Sequence, residues 1–331
     1  MSNDNQKKQL ADSGLEMKSM RLGFGHGLIE AAKQDPRIVV LCADLVESTG
    51  LLPFKEKFPD RFFEVGVAEQ NLVTVASGMA AMGKIPFAAS YAIFSPGRNW
   101  EQIRTTICYN NLPVKLIGTH AGLNVGPDGG SHQALEDIAL MRVLPRMTVL
   151  SPCDALEAAK CASLMGKTDG PVYIRLPREK SLILTHEKSP FEIGKASIFY
   201  ESSPKISDLG IIATGPLLYR TLLAAKKLES LGKKVTVMNL STIKPLDEGA
   251  IINLAKKTKA IVTIEEHQRF GGMGSAVAEC LVTHHPVPIE FVAVNDRFGQ
   301  SGQAEELLDL YGFRVEDIVE AGKRVVLRKE R

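Results

Sequence analysis

The chain has no long apolar run, no surplus of either charge sign, no paired metal-ligand cysteines and a single tryptophan. Lys and Arg number 40 against 38 Asp and Glu, a net charge of +2, and no basic face stands out. Nucleic acid is therefore not an expected partner. A small phosphorylated substrate stays open, because two or three local cations suffice to bind it. Cys42, Cys108, Cys153, Cys161 and Cys280 form no CxxC pair or other metal spacing. Their odd count and mostly apolar surroundings read as reduced, buried thiols of a cytoplasmic protein. No apolar run approaches membrane-spanning length, so no membrane association is expected. Residues 1–14 are polar and lack an apolar core, which reads as a flexible tail and not as a signal peptide. Gly23-Phe-Gly-His-Gly27 and Gly271-Gly-Met-Gly274 do not make a proper GxGxxG between a strand and a helix, so a dinucleotide site is not expected.

A length of 331 residues suggests two domains, and a hydrophobic fraction of 44% is enough for sizeable cores. Short β-branched runs alternate with helical spacing. Strands are expected at 37–42, 114–118, 147–150 and 171–175, with a helix at 155–165. Leu72, Ala76, Met79 and Ala80 repeat at helical spacing after Gly66, which places Glu69 in a first helical turn. Ser131 is expected to cap a helix from His132 to about Arg142. The fold class is α/β with a mainly parallel sheet. Sites in such sheets form outside the carboxyl ends of the strands, and Asp44, His120 and Arg178 each follow a strand there. The stretch 183–207 is polar, with Pro190 and Pro204. The expected organisation is a tail at 1–14, a first domain at 15–185, a linker at 186–207 and a smaller α/β domain at 208–331. In the second domain strands are expected at 209–213, 234–239, 260–264 and 289–294, and helices at 216–230, 247–257 and 273–282. A weak strand is expected at 196–200.

Two segments carry chemistry. Gly66-Val-Ala-Glu-Gln-Asn-Leu-Val73 puts the carboxylate of Glu69 at the start of an apolar helix. Taken alone, that is an acid favoured by the helix dipole. His120 to His132 is a Gly-rich loop whose glycines 122, 126, 129 and 130 allow close backbone approach, with Asp128 inside it. The two histidines have no third ligand at metal-site spacing. Tyr91 and Phe94, in an apolar strand, would ordinarily be core. Arg21 and Arg178 would ordinarily be surface ion pairs, though forked, permanently charged donors suit phosphate.

Together these motifs resemble the pyrimidine-binding half of thiamine-diphosphate enzymes, transketolase above all. The resemblance runs over roughly residues 15–330, in motif order and spacing. It implies a pyrimidine-binding domain followed by a transketolase-type C-terminal domain. It implies that Glu69 hydrogen-bonds the aminopyrimidine nitrogen and so activates the cofactor, a task for a desolvated carboxyl group. Tyr91 and Phe94 would pack the ring, and Asp44 would line the cofactor pocket. Asp128 would contact a substrate hydroxyl next to the reacting carbon, and His132 the donor near C1. His120, Arg21, Ser48 of Asp44-Leu-Val-Glu-Ser48, and Arg178 would contact the substrate phosphate.

The chain has no GDG followed by an NN pair, the pattern with which this superfamily holds Mg²⁺ and the diphosphate. The resemblance therefore implies the C-terminal subunit of a split transketolase. A separate N-terminal subunit would supply the diphosphate-binding domain and most of the contacts to Mg²⁺ or Ca²⁺. An α2β2 assembly built on a dimer of this chain would transfer a two-carbon ketol unit between sugar phosphates. Near Pro96 the spacing is one residue longer than in full-length transketolase, which leaves Arg98 and Asn99 unassigned. Glu265 to Gly274 resembles a recurrent motif of the C-terminal domain and reads as strand-end geometry and subunit contact. Three other readings are a 1-deoxy-xylulose-5-phosphate synthase-like subunit, a 2-oxo acid dehydrogenase beta-like subunit and a non-catalytic interaction subunit.

Overall fold

The computed structural model describes Gly14, residues 16–203 and residues 206–329. The expected tail falls outside these residues except for Gly14, as does Pro204 of the polar stretch. Among the described residues the strands are β1 (Met17–Lys18), β2 (Ile38–Cys42), β3 (Phe62–Glu64), β4 (Ile85–Tyr91), β5 (Lys115–Thr119), β6 (Thr148–Leu150), β7 (Val172–Arg175), β8 (Ser181–Leu182), β9 (Ser197–Glu201), β10 (Leu209–Ala213), β11 (Val235–Asn239), β12 (Thr242–Lys244), β13 (Ile261–Gln268) and β14 (Ile289–Val294). One sheet has the order β12-β6-β7-β5-β4-β2-β3 and the other β14-β13-β10-β11-β9. Pairing is parallel throughout except for the edge strands β12 and β9. β1 and β8 form a small antiparallel pair. No described helix is long and apolar enough to cross a membrane.

The strands of the first sheet follow from their composition. β2, β5 and β7 are buried along their whole length, as near-continuous apolar runs in a parallel sheet should be. Helices Met20–Gln34 and Ala155–Met165 pack together on one face. A Cβ at Gly23 would stand 2.3 Å from Ala155 O, and one at Gly27 2.2 Å from Ala159 O. These glycines of Gly23-Phe-Gly-His-Gly27 therefore allow close helix packing. On the other face helix Glu69–Ala81 buries Leu72, Val73, Ala76 and Ala80.

Two features depart from expectation. The helix expected from His132 begins only at Asp137, and its cap residue, Glu136, makes no side-chain capping bond. Ala134 is instead bridged to Ala121, and the Gln133 side chain donates to Gly126 O (3.4 Å) and Gln300 O (3.0 Å). These partners hold Gln133 and Ala134 outside the helix, and a bend at 135–136 precedes it. Ser131 caps nothing, and its hydroxyl lies 3.0 Å from His132 Nδ1. The second departure is β12, three residues that follow β11 yet extend the edge of the first sheet beside β6. So short a run has no periodicity to read.

The second unit continues with helices Leu218–Ser230, Glu248–Thr258 and Met273–His284, then Ala304–Leu310 and Val315–Lys329. In the Glu265–Gly274 motif, Glu265 accepts from Met273 N (2.6 Å) and Gly274 N (2.7 Å), so its carboxylate satisfies a helix start. Glu266 and His267 reach the first unit, accepting from Asn124 N (2.7 Å) and Ala139 N (3.3 Å).

Candidate active site

The site lies along the carboxyl ends of β2, β4, β5 and β7. Glu69 opens its helix and is 4% exposed. The turn before it is braced by Glu64 at the end of β3. That carboxylate accepts from Asp44 N (2.7 Å), Val65 N (3.0 Å) and Gly66 N (3.0 Å). Asp44, in the left-handed region at φ 57°, is thus tied through its backbone to the Glu69 turn, while the residue itself is exposed.

The unassigned pair falls into place beside Glu69. Asn99 Nδ2 donates to Glu69 O (2.8 Å) and Ser95 Oγ (3.1 Å), and its buried Oδ1 has no partner. Arg98 places Nη1 3.6 Å from Glu69 Oε2 and its guanidinium carbon 4.8 Å from the Phe94 ring centroid. A planar cation therefore already bridges the carboxylate and the aromatic face. Arg98 is exposed, so it is free to swing away.

From Phe94 the side chains form a continuous path. Phe94 meets His132 edge-on at 5.3 Å and Tyr91 at 6.3 Å. Tyr91 stacks on His120 with ring centroids 3.9 Å apart. His120 directly follows β5, in the left-handed region at φ 54°. Burial pushes its imidazole down to about 3, with Arg21, Arg178 and His132 adding repulsion. Its Nδ1 lies 3.1 Å from Thr119 Oγ1. Arg21 donates to the Ser48 carbonyl and to Arg178 O (2.8 Å), while its buried Nε has no partner. Arg178 donates to Val125 O (2.6 Å) and stands 3.6 Å from Asp128. Glu69, Tyr91, Phe94, His132, His120, Arg21, Arg178 and Asp128 are thus brought together. Ser48 joins them through its carbonyl, and Asp44 through Glu64.

The path has two chemical ends. At Glu69 a carboxylate beside aromatic faces suits a flat heterocycle with an N–H edge, and Arg98 already makes both contacts. At Arg21 and Arg178 two guanidinium groups and a neutral imidazole suit an anion. The residues at the Glu69 end fit the pyrimidine ring of thiamine diphosphate. Among the described residues no group of three or more His, Cys, Asp or Glu is placed to hold a metal ion. Sequence reasoning gave no site role to Glu64, Asn124 or Glu266, whose decisive contacts are with backbone amides far along the chain, Asp44 N for Glu64, Glu179 N for Asn124 and Asn124 N for Glu266.

The buried imidazole carries a stability consequence. A histidine kept neutral in the fold takes up a proton first when unfolded, at about its ordinary 6.5. Stability is therefore lost as pH falls from about 6.5 towards 3, at up to about 1.4 kcal/mol per pH unit. Urea denaturation across this range should show a shallower acid loss for His120→Gln than for the unaltered chain; parallel curves would contradict it.

Two family models match, the transketolase pyrimidine binding domain over residues 16–181 and the transketolase C-terminal domain over residues 202–318. A putative transketolase C-terminal section from Methanocaldococcus jannaschii is 43% identical over 319 residues, covering 95% of this chain and 98% of that one. The 6-deoxy-6-sulfo-D-fructose transketolase subunit of a Clostridium species is 40% identical over 302 residues, covering 91% and 92%. A solved structure described as a split gene transketolase, an inactive β4 tetramer, superimposes with a TM-score of 0.87 at 42% identity, covering 94% of this chain and 99% of that one. With both domains matched in order and relatives covered almost end to end, the chain belongs to the transketolase family.

Proposed function

We propose that the chain is the C-terminal subunit of a thiamine-diphosphate-dependent transketolase. It would transfer a two-carbon ketol unit from a ketose phosphate to an aldose phosphate. The observation that carries this reading is Glu69, buried at a helix start and sharing one planar cation with the Phe94 ring. Thiamine diphosphate, when bound, supplies the carbon nucleophile that such transfer needs. Glu69 would hold a proton at the pyrimidine ring nitrogen, with Arg98 displaced. Tyr91 and Phe94 would pack the ring, and Asp44 would line the pocket. His132 would contact the donor near its reacting carbonyl, and Asp128 the neighbouring hydroxyl.

The distant phosphate would be held by Arg21, Ser48, Arg178 and His120. His120 would act as a neutral hydrogen-bond donor, since its surroundings oppose protonation. Binding energy gained there would position the reacting carbon. The diphosphate and Mg²⁺ would be held mainly by a second, N-terminal chain, in a cytoplasmic assembly of two copies of each. The relatives support a two-chain arrangement, one being a C-terminal section and another described as an inactive tetramer of β chains.

The decisive experiment is two-carbon transfer from xylulose 5-phosphate to ribose 5-phosphate, with thiamine diphosphate and Mg²⁺. The chain is assayed alone and mixed with a diphosphate-binding partner. Activity only in the mixture is expected. A stable complex without activity would overturn the reaction assignment. In an active mixture, Arg178→Ala should raise KM for phosphorylated donors roughly ten- to hundredfold. Hydroxypyruvate, which has no phosphate, should be nearly unaffected. Equal losses on both donors would remove Arg178 from the phosphate site.

A further inference from the structure

The substrate-facing loop is fastened from behind by the second unit. Asn124 N donates to Glu266 Oε1 (2.7 Å), and Asn124 Oδ1 accepts from Glu179 N (2.6 Å). The next carbonyl, Val125 O, accepts from Arg178 Nη1 (2.6 Å). One carboxylate on β13 is therefore two residues of chain away from the guanidinium expected at the phosphate. The seat is close. Gly122 has φ +79°, and a Cβ there would stand 2.3 Å from Glu266 Oε1. Cβ atoms on Gly129 and Gly130 would likewise fall 2.5 Å from Ser301 Oγ and 2.6 Å from Gly299 O. The loop lies between the two units with no room for a larger residue at these points.

We propose that Glu266 is a positioning residue for the transfer reaction, setting affinity for phosphorylated substrates by fixing the loop that carries Asp128 and orients Arg178. The part concerning catalysis rests on the proposed function. The C-terminal unit, which contributes no residue to the path from Glu69 to Asp128, thereby acts on the site.

The choice of residue argues for this. Burial pushes the Glu266 carboxyl up to about 7, against Arg175, Arg220 and the Asn124 amide, which favour its charged form. Arg175 of β7 donates to the Glu266 carbonyl (2.7 Å). Arg220 is itself paired with Glu305 and Asp309, and Glu305 opposes ionisation of Glu266. Lys180 and Glu305 border, with Glu266, a cavity of about 90 Å³. A glutamine would accept the same hydrogen bond without the cost of a buried charge. The ionised acid is the stronger acceptor, and it holds the amide more firmly than a neutral group does.

The signs follow from the raised value. A carboxyl group whose folded value is about 7, against an ordinary 4.5, weakens the fold as pH rises through that interval. Glu266→Gln should therefore raise the Tm of the chain at pH 8 and lose that gain by pH 4.5. In the complex with the partner chain, the KM of the unaltered protein for a phosphorylated donor should rise as pH falls through about 7. Glu266→Gln should hold the higher KM at every pH, apart from the titration of the phosphate itself. Glu266→Ala should raise KM about tenfold or more with little change in kcat.

Amide hydrogen exchange on the full chain alone separates the loop contact from the catalytic reading. Residues 122–128 should exchange at least about tenfold faster in Glu266→Ala, with the central strands β10 and β11 unchanged. Unchanged exchange at 122–128, or a KM in Glu266→Gln that follows pH through 7 as steeply as that of the unaltered protein, would overturn the proposal. Faster loop exchange in a complex that transfers no ketol unit would sustain the loop contact and overturn the proposed function instead.

Discussion

Glu69→Gln is expected to reduce two-carbon transfer by the assembled complex about 10³-fold, with subunit association unchanged. The substitution keeps the shape of the side chain and removes only its capacity to gain and lose a proton. The buried helix start and the Asn99 bond to the Glu69 carbonyl do not depend on the carboxylate, so the local fold persists. Arg98 loses its ionic partner, but that pair is partly open to solvent and contributes little to stability. Size-exclusion chromatography of the mixed subunits should give the same assembly for both proteins. Initial rates with xylulose 5-phosphate should differ by the full factor. More than a tenth of the original turnover would remove Glu69 from the proton-holding role.

Legibility in the sequence followed the range of the interactions involved. β2, β5 and β7 stand within a residue or two of where their apolar runs place them, because strands buried on both faces are written as continuous hydrophobic segments. Helix Ala155–Met165 coincides with expectation, and Asp154 caps it by accepting from Glu157 N (2.8 Å). Strand ends are legible from these runs, so the convergence of Asp44, His120 and Arg178 on one edge was too. What the sequence could not reveal depends on partners far away along the chain. Ser131 has the residue type of a helix cap, yet Gln133 reaches Gln300 and Ala134 bridges Ala121, so the helix starts only at Asp137. Glu64 looks like an ordinary acid at a strand end until three amides are seen to point at it. Arg98 and Asn99 sit beyond a one-residue change in spacing, where counting loses register. In the fold, turns linking residues 91–98 bring them back beside Glu69. Glu266 belongs by sequence to the second unit, so its hold on Asn124 has no local signature.

The largest stability effect is expected from Asp137→Ala, a loss of about 3–5 kcal/mol in urea denaturation. Asp137 is buried and accepts from Arg175 Nε (2.9 Å) and from the Tyr173 hydroxyl (2.8 Å). Its removal strands a buried guanidinium and a buried phenol together. Exposed ion pairs of this chain, such as Lys323–Glu320, should each change stability by less than about 1 kcal/mol. The contrast is one of solvation: water replaces a lost partner at the surface and cannot do so in the core. Asp137→Leu combined with Arg175→Met should be less damaging than Asp137→Ala, because no unpaired charge is left. It should not be neutral, since Arg175 also donates to Ala134 O (3.1 Å) and Glu266 O (2.7 Å). The second of these bonds joins the sheet of the first unit to a strand of the second, three residues before Arg178. A loss below about 1 kcal/mol for Asp137→Ala would mean that the guanidinium finds another partner or water. If the double variant instead proved the worse, the carbonyl contacts of Arg175 would outweigh its ion pair, and the junction between the units would rest on hydrogen bonds to the backbone.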